Sequence, residues 1–348
     1  MSLPKTQKVW ILNERPTDRI TENTFKVEER PVPQPEELKD GEFIVKVDAL
    51  SNDPAQRTWM DGTFDPKRMY APPIFAGDIV RAGILGTVVA SKSSKFKEGI
   101  RVTTGGQWAE YVKADDSNPF TVPAVSIEGQ SEFISLSIVG MVGQTAYVGA
   151  YGEMKLKPEH TVVISGAAGA VGSVLVQIAK KVIGCKKVVG IAGGKAKCDW
   201  VKTLGADECI DYKDKDYYNK LKEALPDYAD RYFDNVGGEI LNNMLTLIKR
   251  GGYISACGAI SGYNEKGLTL TNWGEIIFNR ITIKGFIFFD HPELVPQGQK
   301  DLKKWLEDGT LTNTDAETVV EAKFEEIPEV YQRLFTGGNQ GKLITKLV

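Results

Sequence analysis

The chain has 348 residues, 42% of them hydrophobic and 26% charged, with a formal net charge of −3. That length exceeds one ordinary core and predicts two domains, and the composition leaves little room for long disorder. The mild acidity, with no Lys/Arg stripe, argues against a nucleic-acid partner.

The N-terminal stretch MSLPKTQKVW lacks the apolar run of a signal peptide, and no segment reaches the uninterrupted apolar length of a membrane span. The most apolar region, Phe133 to Ala150, is interrupted by Ser, Gln, Thr and three glycines and is expected to form buried helix and turn. A cytoplasmic protein without a membrane partner is expected. The four cysteines, Cys185, Cys198, Cys209 and Cys257, all lie late, and the only histidines are His160 and His291. None of these cysteines has the spacing of a zinc knuckle, which leaves only carboxylates as further metal ligands in the N-terminal half. No metal site is expected.

Residues 1 to about 125 predict a strand-rich unit. Phe43–Val47 and Gly83–Val89 are β-branched stretches between Gly, Pro and Asp turns, and Gly105–Val112 follows as another turn and strand. Within this unit Asp53, Ala55 and Arg57 are candidates to border a substrate pocket. The adjacent Asp115 and Asp116 point in opposite directions in an extended segment, so they predict an exposed loop and not an acid–base pair.

From Thr161 the pattern changes to alternating strands and helices. TVVIS leads through a glycine turn into a helix ending at Ile183, and KVVGIAG into a helix over Lys195–Leu204. ECIDY leads into Tyr217–Leu225, RYFDNVGG into Glu239–Ile248, and GGYISACG closes the series. This βαβ succession predicts a doubly wound parallel sheet. A further strand over Ile281–Phe289 and a helix over Gln299–Glu307 are expected to finish it. Val319–Phe324 as strand, Ile327–Phe335 as helix and Lys342–Leu347 as strand are expected to return to the N-terminal unit. The α/β insertion would then span residues 128–314, between a first domain at 1–127 and a return at 315–348.

The sharpest motif is TVVISGAAGAVGS. Gly166, Gly169 and Gly172 recur every third residue between a strand and an apolar helix. A dinucleotide pyrophosphate needs bare backbone in such a turn, met by N–H groups at the helix start. Gly166, Ala168, Gly169, Ala170, Val171 and Gly172 are therefore cofactor candidates. After the second strand an NAD site usually carries Asp or Glu, whereas here Gly193–Gly194 is followed by Lys195 and Lys197. Two ammonium groups suit an extra phosphate, which predicts NADPH, with Lys197 the first candidate and Lys195 the second. Asn235, Gly237, Cys257, Ala259 and Ile260 follow the fourth and fifth strands and are expected near the nicotinamide end. Cys257 is expected as a packed small residue, not a nucleophile.

The stretches ISGAAGAVGSVLVQIAK, VVGIAGGKAK, YFDNVGGEILN, CGAISGYN and GGNQGKLI, with SNDPAQR earlier, resemble in order the zinc-free branch of the medium-chain dehydrogenase/reductase superfamily. That branch contains the prostaglandin and leukotriene reductases, plant alkenal double-bond reductases and curcumin-type reductases. The resemblance implies a partly open GroES-like β-barrel domain with an inserted Rossmann domain, and a homodimer through the latter. It further implies NADPH-dependent reduction of the C=C bond of α,β-unsaturated aldehydes and ketones. By the same resemblance Lys197 contacts the 2′-phosphate, Tyr212 lies near the cofactor phosphates, and Asn339 reaches the cofactor. Tyr263 lies by the nicotinamide and the substrate oxygen and is the expected catalytic donor. Many relatives read DPYMR where this chain has DPAQR, so Ala55 offers a methyl group in place of an aromatic hydroxyl. The alternatives are a quinone or carbonyl reductase on the same nucleotide site, or a non-catalytic NADPH-binding relative.

Overall fold

The structure is a computed structural model and describes residues 3–264 and 269–348. It divides into two compact units. One comprises Met1–Leu136, Thr318–Gly338 and Lys342–Val348, the other Ser137–Glu317 and Asn339–Gly341.

The first unit is built on a sheet ordered Glu317–Ala322, Lys342–Leu347, Glu42–Ser51, Arg81–Ser91, Arg101–Gln107 and Val122–Pro123, with Tyr111–Asp115 also paired to Glu42–Ser51. A hairpin of Thr6–Leu12 and Phe25–Pro31 lies beside it. The predicted strand over Gly105–Val112 is two strands. The chain turns between them at Trp108, whose ring is fully buried against Phe25 and Tyr331. The Trp108 backbone stays paired in the turn, its N–H donating to the Val80 carbonyl at 2.8 Å and its carbonyl accepting the Trp10 N–H at 2.9 Å. The tail supplies the Lys342–Leu347 strand, antiparallel to Glu42–Ser51, and the helix Ile327–Thr336, whose Ile327 and Tyr331 enter the same core.

In the second unit the strands are β1 Thr161–Ser165, β2 Lys187–Ala192, β3 Glu208–Asp211, β4 Ala229–Asp234, β5 Ile248–Ala256 and β6 Thr282–Gly285. The helices between them are α1 Ala170–Gln177, α2 Lys195–Thr203, α3 Tyr217–Ala224 and α4 Gly238–Leu245, with α5 Gly274–Asn279 before β6. The sheet order is β3-β2-β1-β4-β5-β6, and the β3-β2, β2-β1, β1-β4, β4-β5 and β5-β6 pairs are all parallel. This is the doubly wound Rossmann order, which reverses direction between β1 and β4 and opens a crevice at their carboxyl ends. The central strands are apolar on both faces, as Val162, Val163 and Ile164 of β1 illustrate, all fully buried.

Three boundaries in this unit differ from the sequence expectation, the first being the helix expected over Gln299–Glu307, which begins at Val295. Ile248 begins β5 and does not end α4, because Thr246 and Leu247 close the helix through backbone bonds to Asn243 and Met244. The strand expected over Ile281–Phe289 stops at Gly285. A 3-10 turn over Phe288–Asp290 follows, stabilised where the Asp290 carboxylate accepts the Ile287 N–H at 2.9 Å.

Candidate active site

The glycine turn between β1 and α1 is shaped by contacts that only glycine permits. Gly166 has φ +57°, in the left-handed region. A Cβ on Gly172 would lie 2.3 Å from the Gly166 carbonyl oxygen, so α1 can approach the turn only without a side chain there. Gly169 is the N-cap of α1, and no side chain caps it. The first-turn N–H groups, those of Ala170, Val171 and Gly172, therefore face an end suited to an anion. The far end of the chain braces this turn. The Gly341 N–H donates to the Ala168 carbonyl at 2.8 Å, Gly341 bridges Gly169, and the Asn339 amide donates to the Gly341 carbonyl at 2.9 Å.

At the end of β2 the two candidate lysines separate. Lys195 is exposed and ion-paired with Asp199 one turn along α2. Lys197 is half-buried, and withdrawal from water, followed by the nearby Lys213 charge, lowers its pKa. An ammonium drawn inward beside a second cation fits a site made for an anion. Tyr212 closes over Gly193, where a Cβ would lie 2.8 Å from its hydroxyl oxygen. Asp211 accepts the Gly194 N–H at 2.7 Å and the Lys213 N–H at 2.9 Å, fixing the β2 and β3 loops to each other.

The ends of β4 and β5 are organised by Asp234, which is 1% exposed. Its Oδ1 accepts from the Tyr232 hydroxyl at 2.7 Å, the Ser165 hydroxyl at 2.9 Å, and the Val236 and Gly237 N–H groups at 3.0 Å. Its carbonyl accepts the Cys257 and Gly258 N–H groups at 2.9 and 3.0 Å. Burial raises its carboxyl pKa against these hydrogen bonds. Asn235 donates its amide to the Ser165 carbonyl at 2.7 Å, and its own carbonyl accepts the Ile260 N–H at 3.3 Å. The Tyr263 hydroxyl accepts the Ala259 N–H at 3.1 Å. A tyrosine oxygen oriented in this way can donate its own proton elsewhere. Burial pushes the Cys257 thiol up to about 12, which keeps it protonated and unsuited to nucleophilic attack.

The Rossmann-unit candidates thus gather at the carboxyl ends of β1 to β5 and the loops beyond them. Asp53, Ala55 and Arg57 lie in the other unit. Asp53 accepts from the Ser51 hydroxyl and from the Lys342 ammonium, and Lys342 is 1% exposed. Ala55 opens the short helix Ala55–Met60. Arg57 is buried, its guanidinium 2.8 Å from Asp61 and donating to the Asp18 carbonyl at 2.6 Å. Asp211, Lys213, Asp234 and Lys342 were not singled out by sequence reasoning. Asp211 and Asp234 carried one usable signal, since each is an acid at the carboxyl end of a parallel strand.

The family described as zinc-binding dehydrogenase matches residues 170–304, and that described as N-terminal domain of oxidoreductase matches residues 8–122. Bovine prostaglandin reductase 1 is 35% identical over 97% of this chain and 98% of that protein. The chain belongs to the zinc-free prostaglandin and curcumin reductase branch of the medium-chain dehydrogenases/reductases. The NADPH-dependent curcumin reductase of Escherichia coli is 29% identical over 97% of this chain and 96% of its own. The crystal structure of CurA in complex with NADPH from Vibrio vulnificus is 30% identical, covers 98% of this chain and 99% of that one, and superposes with a TM-score of 0.87. Among the described residues no group of three or more His, Cys, Asp or Glu side chains could hold a metal ion. No described helix is long and apolar enough to cross a membrane.

Proposed function

We propose that the protein is an NADPH-dependent reductase of the C=C bond of α,β-unsaturated aldehydes and ketones. The observation that carries this reading is the half-buried Lys197 beside Lys213 where an NAD site would place an acid, in a member of the double-bond reductase branch. When bound, the dinucleotide supplies a hydride to the β-carbon of the conjugated carbonyl.

The chain's own residues bind and orient. The glycine turn from Gly166 to Gly172 presents backbone N–H groups to the pyrophosphate, while Lys197 and Tyr212 hold the adenosine phosphate. Asn235, Gly237, Cys257, Ala259 and Ile260 line the nicotinamide end, with Asn339 bracing the turn from outside. Tyr263 donates to the substrate carbonyl oxygen as negative charge develops there, the task of an oxyanion donor in a site without a metal. Asp53 and Ala55 border the substrate. Arg57 anchors the short helix that begins at Ala55, through Asp61 and Asp18.

The protein acts in the cytoplasm as a homodimer joined through the Rossmann unit. Support for the dimer comes from the last strand, β6, and from α5, where Trp273, Ile277 and Phe278 are 58%, 66% and 71% exposed. NADPH deuterated at both C4 positions tests the reaction. Deuterium is expected on the β-carbon of a saturated ketone, and deuterium on the carbinol carbon would overturn the proposal.

A further inference from the structure

Directly behind the Lys197 site, two thiols face one another. Cys198 follows Lys197 on α2, and Cys209 lies two residues before Asp211 on β3. In the β2/β3 register Cys209 is opposite Gly190 and Asp211 is opposite Ala192. Gly190 makes the room. A Cβ there would lie 3.1 Å from the Cys209 Sγ and 2.8 Å from a Val201 side-chain carbon of α2, so Cys209 points into the layer between sheet and helix. The Cys198 Sγ lies in the same layer, 3.9 Å from the Ala192 carbonyl oxygen. The two thiols influence each other across this layer, which favours the thiolate of Cys198 and disfavours that of Cys209. Cys185 differs, since its thiol donates to the Lys157 carbonyl at 3.4 Å.

We propose that Cys198 and Cys209 form a reversible disulfide site, oxidised by hydrogen peroxide, whose closure weakens NADPH binding. This rests on the reading of Lys197 and Tyr212 as cofactor contacts. Cys198, the thiol favoured as thiolate, attacks one peroxide oxygen. The O–O bond breaks, water leaves, and Cys198 becomes a sulfenic acid. The Cys209 sulfur then attacks the Cys198 sulfur, the S–O bond breaks, and the hydroxyl leaves with the Cys209 proton as water. Two thiols and one hydrogen peroxide thus give one disulfide and two waters. Cys198 is 5% exposed and Cys209 is half-buried, so the oxidant must be as small as hydrogen peroxide.

An S–S bond of about 2.0 Å is far shorter than a thiol–thiol hydrogen bond, so closure draws α2 and β3 together. β3 ends and α2 begins at the Asp211–Gly194 hydrogen bond, and Lys197 is the immediate neighbour of Cys198. The displacement therefore falls on the groups that hold the adenosine phosphate.

The test is to treat the full-length reduced protein with hydrogen peroxide, alkylate remaining thiols, and map non-reduced peptides by mass. NADPH is titrated in parallel by its fluorescence. The expected result is a Cys198–Cys209 peptide pair and an NADPH Kd weakened by about tenfold, restored by dithiothreitol. The Cys209→Ser variant should keep its affinity under peroxide. Alkylation of both thiols after peroxide, or a mapped disulfide with unchanged Kd, would overturn the proposal. Failure of the reduced protein to bind NADPH would instead remove the cofactor reading and with it the effect on affinity, while the peptide map still decides the thiol chemistry.

Discussion

The Asp211 carboxylate accepts the backbone N–H of Gly194 at 2.7 Å, joining the carboxyl end of β3 to the N-cap of α2. Gly194 has φ +96° and contributes no capping side chain, so a neighbouring strand holds the loop in place. On one side of this joint Lys197 is drawn inward, and on the other Tyr212 lies over Gly193. The position of Lys197 and Tyr212 is thus set jointly by a loop and a strand end.

Lys197→Ala is expected to remove a charge-assisted contact worth about 1.5–3 kcal/mol, raising KM for NADPH by about 10–100-fold. KM for NADH should stay near its original value, because NADH lacks the 2′-phosphate. Lys195→Ala should change neither by more than about twofold, since that ammonium is committed to an exposed pair with Asp199. Steady-state kinetics of the two variants with both cofactors checks the difference.

Tyr263→Phe keeps the ring and removes the hydroxyl that accepts from Ala259. Turnover should fall by about 10²-fold, the usual effect of losing one oxyanion donor, while NADPH Kd shifts far less. Single-turnover rates beside a fluorescence titration separate the two effects. Equal losses in both would make Tyr263 a cofactor-binding residue only.

Gly172→Ala places a methyl group 2.3 Å from the Gly166 carbonyl oxygen and 2.8 Å from the Ala167 Cα. Both neighbours are backbone, so relief requires α1 to back away from the turn. A loss of about 1–3 kcal/mol is expected, together with weaker NADPH binding. Denaturant unfolding and cofactor titration of this variant provide the measurements.

Glu153, whose side chain is 1% exposed, accepts from His291, from Lys284 at 2.9 Å and from Tyr253 at 3.0 Å. Burial alone would raise its pKa, but these bonds hold it below the ordinary 4.5, while the Glu153 hydrogen bond holds His291 above the ordinary 6.5. A raised imidazole pKa stabilises the fold fully below 6.5, and the gain is lost as pH rises through the folded value. The depressed carboxylate contributes above 4.5 and fades as pH falls through its own folded value. The Tm difference between the parent chain and His291→Gln should peak between about pH 5 and about pH 6 and shrink at higher pH. Thermal melts across this range test it, and a difference independent of pH would count against it.

The βαβ order, the glycine turn and the return of the tail were legible because each follows from local periodicity and turn chemistry. TVVIS–GAAGAVGS fixes its own geometry within thirteen residues, and Lys342–Leu347 emerged as the strand expected of it. Trp108 was less legible, because its burial depends on Phe25 and Tyr331, which lie far away in sequence. Lys195 and Lys197 look alike in the chain, and only their directions on α2 distinguish the solvent-facing ammonium from the inward one. The place of Asp234 at a strand end is legible, but its donors are not. Its hydroxyl partners Ser165 and Tyr232 come from two different strands, and nothing in YFDNVGG announces a carboxylate with four donors on one oxygen.

Double-bond reduction is decided by the identity of the product. The purified protein is given NADPH and a small α,β-unsaturated ketone without oxygen, and the product is identified by mass and NMR. The expected product is the saturated ketone with its carbonyl intact, and an allylic alcohol would overturn double-bond reduction.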